Sequence, residues 1–468
     1  MAEKQKSSEL QFIKELVDEL YNYRDCYFET HGVEEAAKKQ EDVARELEKV
    51  LKKLQEKEVS PSEGNRHKAE FLLQKGRCLN VAPDFSAAAE DCLSRAVKLE
   101  PGLVQGWNTL GEQYWKKGDL MAAKNCFTGA LQQSKNKVSL RNMSMVLRQL
   151  PAAGGDAHGK QVLESVDVAR QAVQLDVTDG TSWCESAKRQ VVEMVSDPIS
   201  HSNCSSCAFS DILGNAYVSL FFSCGQKPQL STQALSAYAQ AERVDRAAAC
   251  YPELHFNRAT LFQYEEMFGS ALGGYSRAAA LDPGWPEPAE KEKQLMEYLH
   301  NVTELCQKKG KVKARRLRGM LSGLTASSLG PCSSPDFRSW TGRVGGLEPR
   351  PSSSLAHGLN GGAAALGKVV FSLASRGRVA FTFGMVDGEE TCVAVMVYNT
   401  ADSWGVLIGD TVVVPEPRVK CHSIAHKGAS FDFRSIRVDS PLCLVVNGRP
   451  QNAQSVTVTS VSYKPQSE

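Results

Sequence analysis

His201, Cys204 and Cys207 recur every third residue in a polar run, and three soft ligands at that spacing could open a zinc site. A structural zinc needs four ligands, and no second Cys-x2-Cys pair follows. The spacing therefore predicts a polar loop without a metal. Catalytic patterns are missing too: there is no P-loop, G-x-S-x-G elbow, H-E-x-x-H or convincing Cys–His arrangement, and the nine histidines are dispersed. We expect neither an enzyme nor a cofactor. One stretch does concentrate charge. KKGKVKARRLR places seven basic residues between Lys308 and Arg318, with no acidic residue until Asp336. Such a run suits phosphate backbones, which are bound by charge without base readout; the other reading is a solvated helix end.

The rest of the composition narrows the class. The 468 residues carry 55 basic and 54 acidic side chains, a net charge of +1, so no global field draws the chain to nucleic acid or membrane. MAEKQKSSEL lacks the apolar centre of a signal peptide, and no run of about eighteen apolar residues predicts a membrane span. The fourteen cysteines are scattered, as free thiols in a reducing compartment would be. The expectation is a soluble intracellular protein with two or more domains.

Helix pairs must position whatever the chain binds. Trp107-x2-Leu110-Gly111-x2-Tyr114, followed by Ala123, Phe127 and Ala130, reproduces the tetratricopeptide pattern, an antiparallel pair about 34 residues long. One repeat back stand Ala89, Leu93, Ala96 and Pro101; forward come Leu140, Met143, Ser144 and Leu147, with Ser165, Ala169 and Ala172 as partner. Leu213-Gly214-x2-Tyr217 pairs with Ala234, Tyr238 and Ala241; Ala259 and Phe262 pair with Ala271, Tyr275 and Ala278. The phase slips once. After Trp183 the Leu-Gly pair is due at 186, where Ser186 and Ala187 stand, and it arrives 27 residues late. We expect an inserted loop over 184–211. Phe12, Leu16 and Leu20 predict the apolar stripe of a helical hairpin over 1–68, before a solenoid over 69–320.

Residues 321–362 are rich in Ser, Gly and Pro and predict a flexible linker. From 363 to 463 the period becomes that of strands. GKVVFSL, FTFGMV, CVAVMVYN, GDTVVVPEP and FRSIRVDSPLCLVV give five runs, and Leu407-Ile408-Gly409-Asp410-x-Val412 suggests a small all-β OB-fold barrel. The fold class expected is therefore multidomain and mainly α: a tetratricopeptide-repeat solenoid, then the barrel. OB barrels often hold single strands on aromatic and basic residues, here Phe381, Phe383, Tyr398, Arg434 and Arg437. Aromatics at strand spacing are more often core.

With repeats, basic stretch and β module in this order, the chain closely resembles the tetratricopeptide repeat protein 5 (Strap) family. YRDCYFETH (23–31), WNTLGEQYWKKGD (107–119), KVSLRNMSMVLRQL (137–150), QALSAYAQAERVDR (233–246), AALDPGWPEP (279–288) and MVYNTADSWGVLIGD (396–410) carry the likeness. The resemblance implies an adaptor that reads the N-terminal Met-Arg-Glu of nascent tubulin chains at the ribosome and, with mRNA-decay adaptor proteins, triggers decay of tubulin mRNA. It also implies a nuclear stress-response cofactor that scaffolds histone acetyltransferase coactivators, with DNA or chromatin contact through the β module; residence would be cytoplasmic and nuclear. Positions 2, 5, 9, 12 and 13 of each repeat line the concave face, which places Arg148, Glu253 and Glu287 there. By resemblance Arg148 meets the acidic residue of the peptide, Glu253 and Glu287 meet its arginine, and Lys313 and Arg315 touch the ribosome.

Overall fold

The structure is a computed structural model that describes residues 2–56, 64–151, 155–177, 207–223, 226–244, 247–373 and 380–456. It divides into two compact units. The first holds the chain up to Leu261 together with Gly274–Pro288; the second holds Phe262–Gly273 and the chain from Ala289 onward.

The first unit is helical. After α1 (Ala2–Asp25), α2 (Tyr27–Thr30) and α3 (Lys39–Gln55) come α4 (Asn65–Asn80) with α5 (Ala87–Leu99), and α6 (Val104–Lys116) with α7 (Leu120–Gln133). Next are α8 (Lys137–Gln149) with α9 (Gly155–Val177), and α10 (Cys207–Ser223) with α11 (Pro228–Val244). Then follow α12 (Pro252–Tyr264), α13 (Phe268–Leu281) and α14 (Pro286–Gln307), each of which is shared between the first unit and the second. The small–large–small triads do the packing: Ala89, Leu93, Ala96; Ala123, Phe127, Ala130; Ala234, Tyr238, Ala241; Ala271, Tyr275, Ala278 are all buried. Three of the four large residues lie against a place where no side chain fits. A Cβ on Gly111 would fall 2.5 Å from the Phe127 ring, one on Gly214 2.7 Å from Tyr238, and one on Gly76 2.5 Å from Leu93. Ser86, Asp119 and Asn136 cap the following helices by accepting backbone N–H bonds, and Gly118 at φ +85° makes the turn before α7.

The N-terminal stripe differs from the expected one. Ile13, Val17 and Leu20 pack on Val43, Val50 and Leu54, whereas Phe12 is 44% exposed. Steps of four overshoot a helical turn by about 40° each, so a 12–16–20 row drifts from exposed Phe12 through half-buried Leu16 onto the buried face at Leu20, while 13–17–20 stays on it. Of the expected inserted loop, residues 184–206 lie outside the described residues, as do His201 and Cys204; Cys207 to Asp211 begin α10.

The second unit is built on one sheet. Its strands are β1 (Glu348–Pro349), β2 (Gly358–Leu359), β3 (Ala363–Leu373), β4 (Phe381–Val386) and β5 (Cys392–Val397). They continue as β6 (Thr411–Pro415), β7 (Arg418–His426), β8 (Ala429–Val438), β9 (Val445–Val446) and β10 (Arg449–Pro450). The hydrogen-bonded order is β10-β9-β6-β3-β4-β5-β8-β7-β2, with β1 parallel to β3. The path is open, which corrects the expected small all-β OB-fold barrel: the sheet does not close. β3 spends its edges on β4 and β6, β5 spends its second edge on β8, and the two ends of the path, β10 and β2, do not pair. The five runs expected also miscount the strands. FRSIRVDSPLCLVV breaks at Ser440 and Pro441, which start a 3-10 turn, and β7 escapes because Lys420 and His422 make it read as polar.

Residues 321–362, expected as a flexible linker, lie against this sheet. Leu329, Cys332 and Leu347 are buried with Ala364, Val413 and Val445. Asn360 ties the segment down, its Oδ1 accepting the Ala356 N–H at 2.9 Å and its Nδ2 donating to the Pro417 carbonyl at 3.1 Å. Serine and glycine made the stretch look loose; buried Leu329, Cys332, Leu347 and Leu355 hold it, with Asn360.

Candidate functional site: the inner face of the helical unit

Arg148 closes α8 and is only 7% exposed. Its Nη1 donates to Ser144 Oγ at 2.8 Å, and Ser144 in turn donates to the Ser165 carbonyl at 2.9 Å, so a neighbouring helix fixes the guanidinium. Glu253, 4% exposed, lies in the first turn of α12, and Glu287, half-buried, in the first turn of α14. A helix start favours a carboxylate because backbone N–H groups there point outward unpaired. Aromatic rings of this part of the chain pack together: Phe256 lies tilted on Trp285 at 4.7 Å and on Tyr275 at 5.6 Å. Trp285 Nε1 donates to Glu287 Oε2 at 3.4 Å. Burial raises the Tyr275 hydroxyl pKa above its usual range, and the Glu287 charge pushes the same way.

Other charged side chains of the helical unit lie near one another. Glu112 accepts from Asn80 at 2.8 Å and from Asn142 at 3.2 Å, and Arg141 Nε donates to Asn142 Oδ1 at 3.0 Å. Burial lowers the Arg141 pKa, opposed by the charges of Glu112, Tyr251 and Asp25. Burial likewise lowers Lys39, opposed by Asp25 and then by Glu253. Burial brings Lys116 to about 8, although its ammonium donates to the Asn80 and Ala82 carbonyls at 2.6 and 2.8 Å. The hairpin turn Tyr27–Thr30 packs against Ala247–Cys250, so the N-terminal helices bring Arg24, Asp25 and Lys39 to the same interior. Arg141 was legible in principle. It precedes Arg148 by seven residues, two helical turns, and so shares its face.

Lys313 and Arg315 stand apart, in the second unit. Lys313 caps α15 (Ala314–Leu321), whose Leu317 is buried against Val370, Phe371 and Val386, while Lys313, Arg315, Arg316 and Arg318 are exposed. Other members of the basic run are paired, Lys308 with Glu304 at 2.7 Å and Lys309 with Glu390 at 2.9 Å.

The residues suggested for stacking on single strands are spent inside the second unit. Phe383 and Tyr398 are buried, Phe381 packs on Trp404, and Arg434 donates to the Ser352 and Leu355 carbonyls. Arg437 lies over the Tyr398 ring at 4.1 Å and pairs with Glu266 at 3.4 Å. Among the described residues no three metal-binding side chains cluster, and no helix is long and apolar enough to cross a membrane.

Comparison with known proteins agrees with this division. The family model described as the tetratricopeptide repeat protein 5 OB fold domain matches residues 347–460. Over 459 residues the chain is 53% identical to tetratricopeptide repeat protein 5 of Homo sapiens and 51% identical to those of Bos taurus and Mus musculus. Each alignment covers 98% of this chain and 97% of the relative.

Proposed function

The chain belongs to the tetratricopeptide repeat protein 5 family, non-enzymatic adaptors linked to tubulin autoregulation, and we propose that its inner helical face grips the N-terminal Met-Arg-Glu of nascent tubulin. The observation that carries this reading is the sorting of charge. A buried, oriented arginine closes α8, and two carboxylates open α12 and α14 beside shared aromatic rings. An extended segment with adjacent basic and acidic side chains complements that sorting through charge-assisted hydrogen bonds. Arg148 takes the glutamate of the segment; Glu253 and Glu287 take its arginine, whose aliphatic stem rests on Phe256 and Trp285.

Lys313 and Arg315, exposed at the start of α15, supply a contact to ribosomal phosphates. The adaptor then hands the translating complex to mRNA-decay proteins, in the cytoplasm. Contact with chromatin through the β module, part of the alternative reading as a nuclear scaffold for histone acetyltransferase coactivators, would need an exposed strand-binding face. The aromatic and basic residues expected to form one are instead buried or bonded internally.

The test is binding of a fluorescent peptide beginning Met-Arg-Glu to the full chain. Arg148→Ala should weaken it by about ten- to a hundredfold, the worth of a hydrogen bond to a charged group, with the melting curve unchanged. Unaltered affinity in that variant overturns the reading.

A further inference from the structure

Two thiols of the second unit meet where the end of α14 passes the start of β5. Cys306 lies in the last turn of α14, and Cys392 opens β5 opposite Val386 of β4. Both are half-buried and pack on the cluster of Leu317, Val370, Phe371 and Val386. The Cys392 thiol donates a hydrogen bond to Cys306, and this bond, then burial, raises the Cys392 pKa. The flanking residues meet as well, since Lys309 pairs with Glu390 at 2.9 Å. Gly310, at φ +66°, runs so close to β3 that a Cβ there would fall 2.3 Å from the Val370 carbonyl oxygen. Ion pair, backbone approach and thiol contact all hold the same two stretches of chain together.

A single cysteine in an apolar setting behaves as a small hydrophobe, whereas two in contact can share a bond. We infer that Cys306 and Cys392 form a peroxide-sensitive dithiol that closes to a disulfide and staples the end of α14 to β5. In a reducing compartment both stay thiols, and the bond is a transient response to oxidant. Cys392 keeps its proton, so the Cys306 thiolate attacks hydrogen peroxide. An S–O bond forms as the O–O bond breaks, and the departing hydroxide takes the proton that Cys306 gave up. The Cys392 sulfur then displaces the oxygen of the Cys306 sulfenic acid, and its own proton leaves with that hydroxide. Two thiols have lost two electrons and two protons, and one peroxide has become two waters. The Lys309–Glu390 pair is partly exposed and contributes little alone. The covalent bond therefore stiffens the base from which α15 projects, whatever the helical unit binds.

The experiment treats the folded full chain with dilute hydrogen peroxide, blocks remaining thiols with iodoacetamide and maps the peptides without reduction. A cross-link joining Cys306 to Cys392 should dominate, and dithiothreitol should return both to thiols. Exposed Cys421 of β7 is the internal comparison, because attack governed by exposure alone would favour it. In Cys392→Ser, Cys306 should stop at the sulfenic acid and be trapped by dimedone; in Cys306→Ser, Cys392 should remain a thiol. The melting temperature of the oxidised wild type should rise, fall back with dithiothreitol and stay unmoved in either variant. Recovery of both cysteines as alkylated thiols overturns the inference, as do pairings with other cysteines that are as frequent as their own. A disulfide that leaves the melting temperature where it was overturns the staple. Both readouts come from the wild-type chain, so neither depends on how well a serine variant folds.

Discussion

The two units handle charge in opposite ways. In the second, opposite charges interleave. Glu266, buried in the turn after α12 at φ +60°, accepts the Tyr398 hydroxyl at 3.0 Å and pairs with Lys420 at 3.3 Å and Arg437 at 3.4 Å. Arg437 donates further to the Tyr264 carbonyl at 2.8 Å, and Lys420 to the Glu265 carbonyl at 2.7 Å. In the first unit the candidate residues are grouped by sign along the chain, Arg141 and Arg148 on one face of α8, Glu253 and Glu287 at the starts of α12 and α14, although other charges of that unit pair with opposite ones. An interleaved set neutralises itself and serves architecture. A sorted set is costly alone and is balanced by a visitor of the complementary pattern.

That contrast can be broken most severely at Glu266. Glu266→Ala leaves two cations without their carboxylate in a buried setting, so denaturant unfolding of the second unit should weaken by about 3–5 kcal/mol. A loss below 1 kcal/mol would mean that the network is ornamental.

His422 sharpens the same point through pH. Packed on Phe433 at 4.6 Å and Phe268 at 5.2 Å, its imidazole is pushed by burial to about 4. The folded state therefore holds fewer protons than the unfolded state between that value and the ordinary histidine range. Stability is present above about 6.5 and is lost as pH falls through 4, by about 3 kcal/mol in all. In His422→Leu the melting temperature should lose that part of its acid dependence; an identical pH profile would refute the assignment.

The smallest effect on folding should come from Lys313→Glu with Arg315→Glu. Both side chains are exposed, so unfolding should shift by less than about 0.5 kcal/mol. Ribosome co-sedimentation should nevertheless fall and lose salt dependence. Co-sedimentation that persists unaltered would reduce the basic run to a solvated helix end.

Which of these features the sequence could reveal follows from their physics. The triads such as Ala123, Phe127 and Ala130 were legible because a repeat puts the same steric demand at the same offset several times. Arg148, Glu253 and Glu287 were legible only through that offset. Glu266 was not, since a single acid in a turn looks solvated until a distant strand supplies its cations. Arg24, Asp25 and Lys39 were missed because the hairpin that carries them stands outside the repeat phase. Strand order was invisible for a related reason: short runs show their own alternation but not which edges they will occupy.

The open path of the sheet has a practical corollary. Its two ends, β2 and β10, are only two residues long, and β10 ends at Pro450, which has no N–H to offer. An incoming strand from another molecule would find few unpaired backbone groups on β2 or β10 themselves, whereas β7 beyond Val419 has a strand partner only on its β8 side. Closing a cylinder and trimming the borders are two answers to one hazard, and this chain uses the second at β2 and β10.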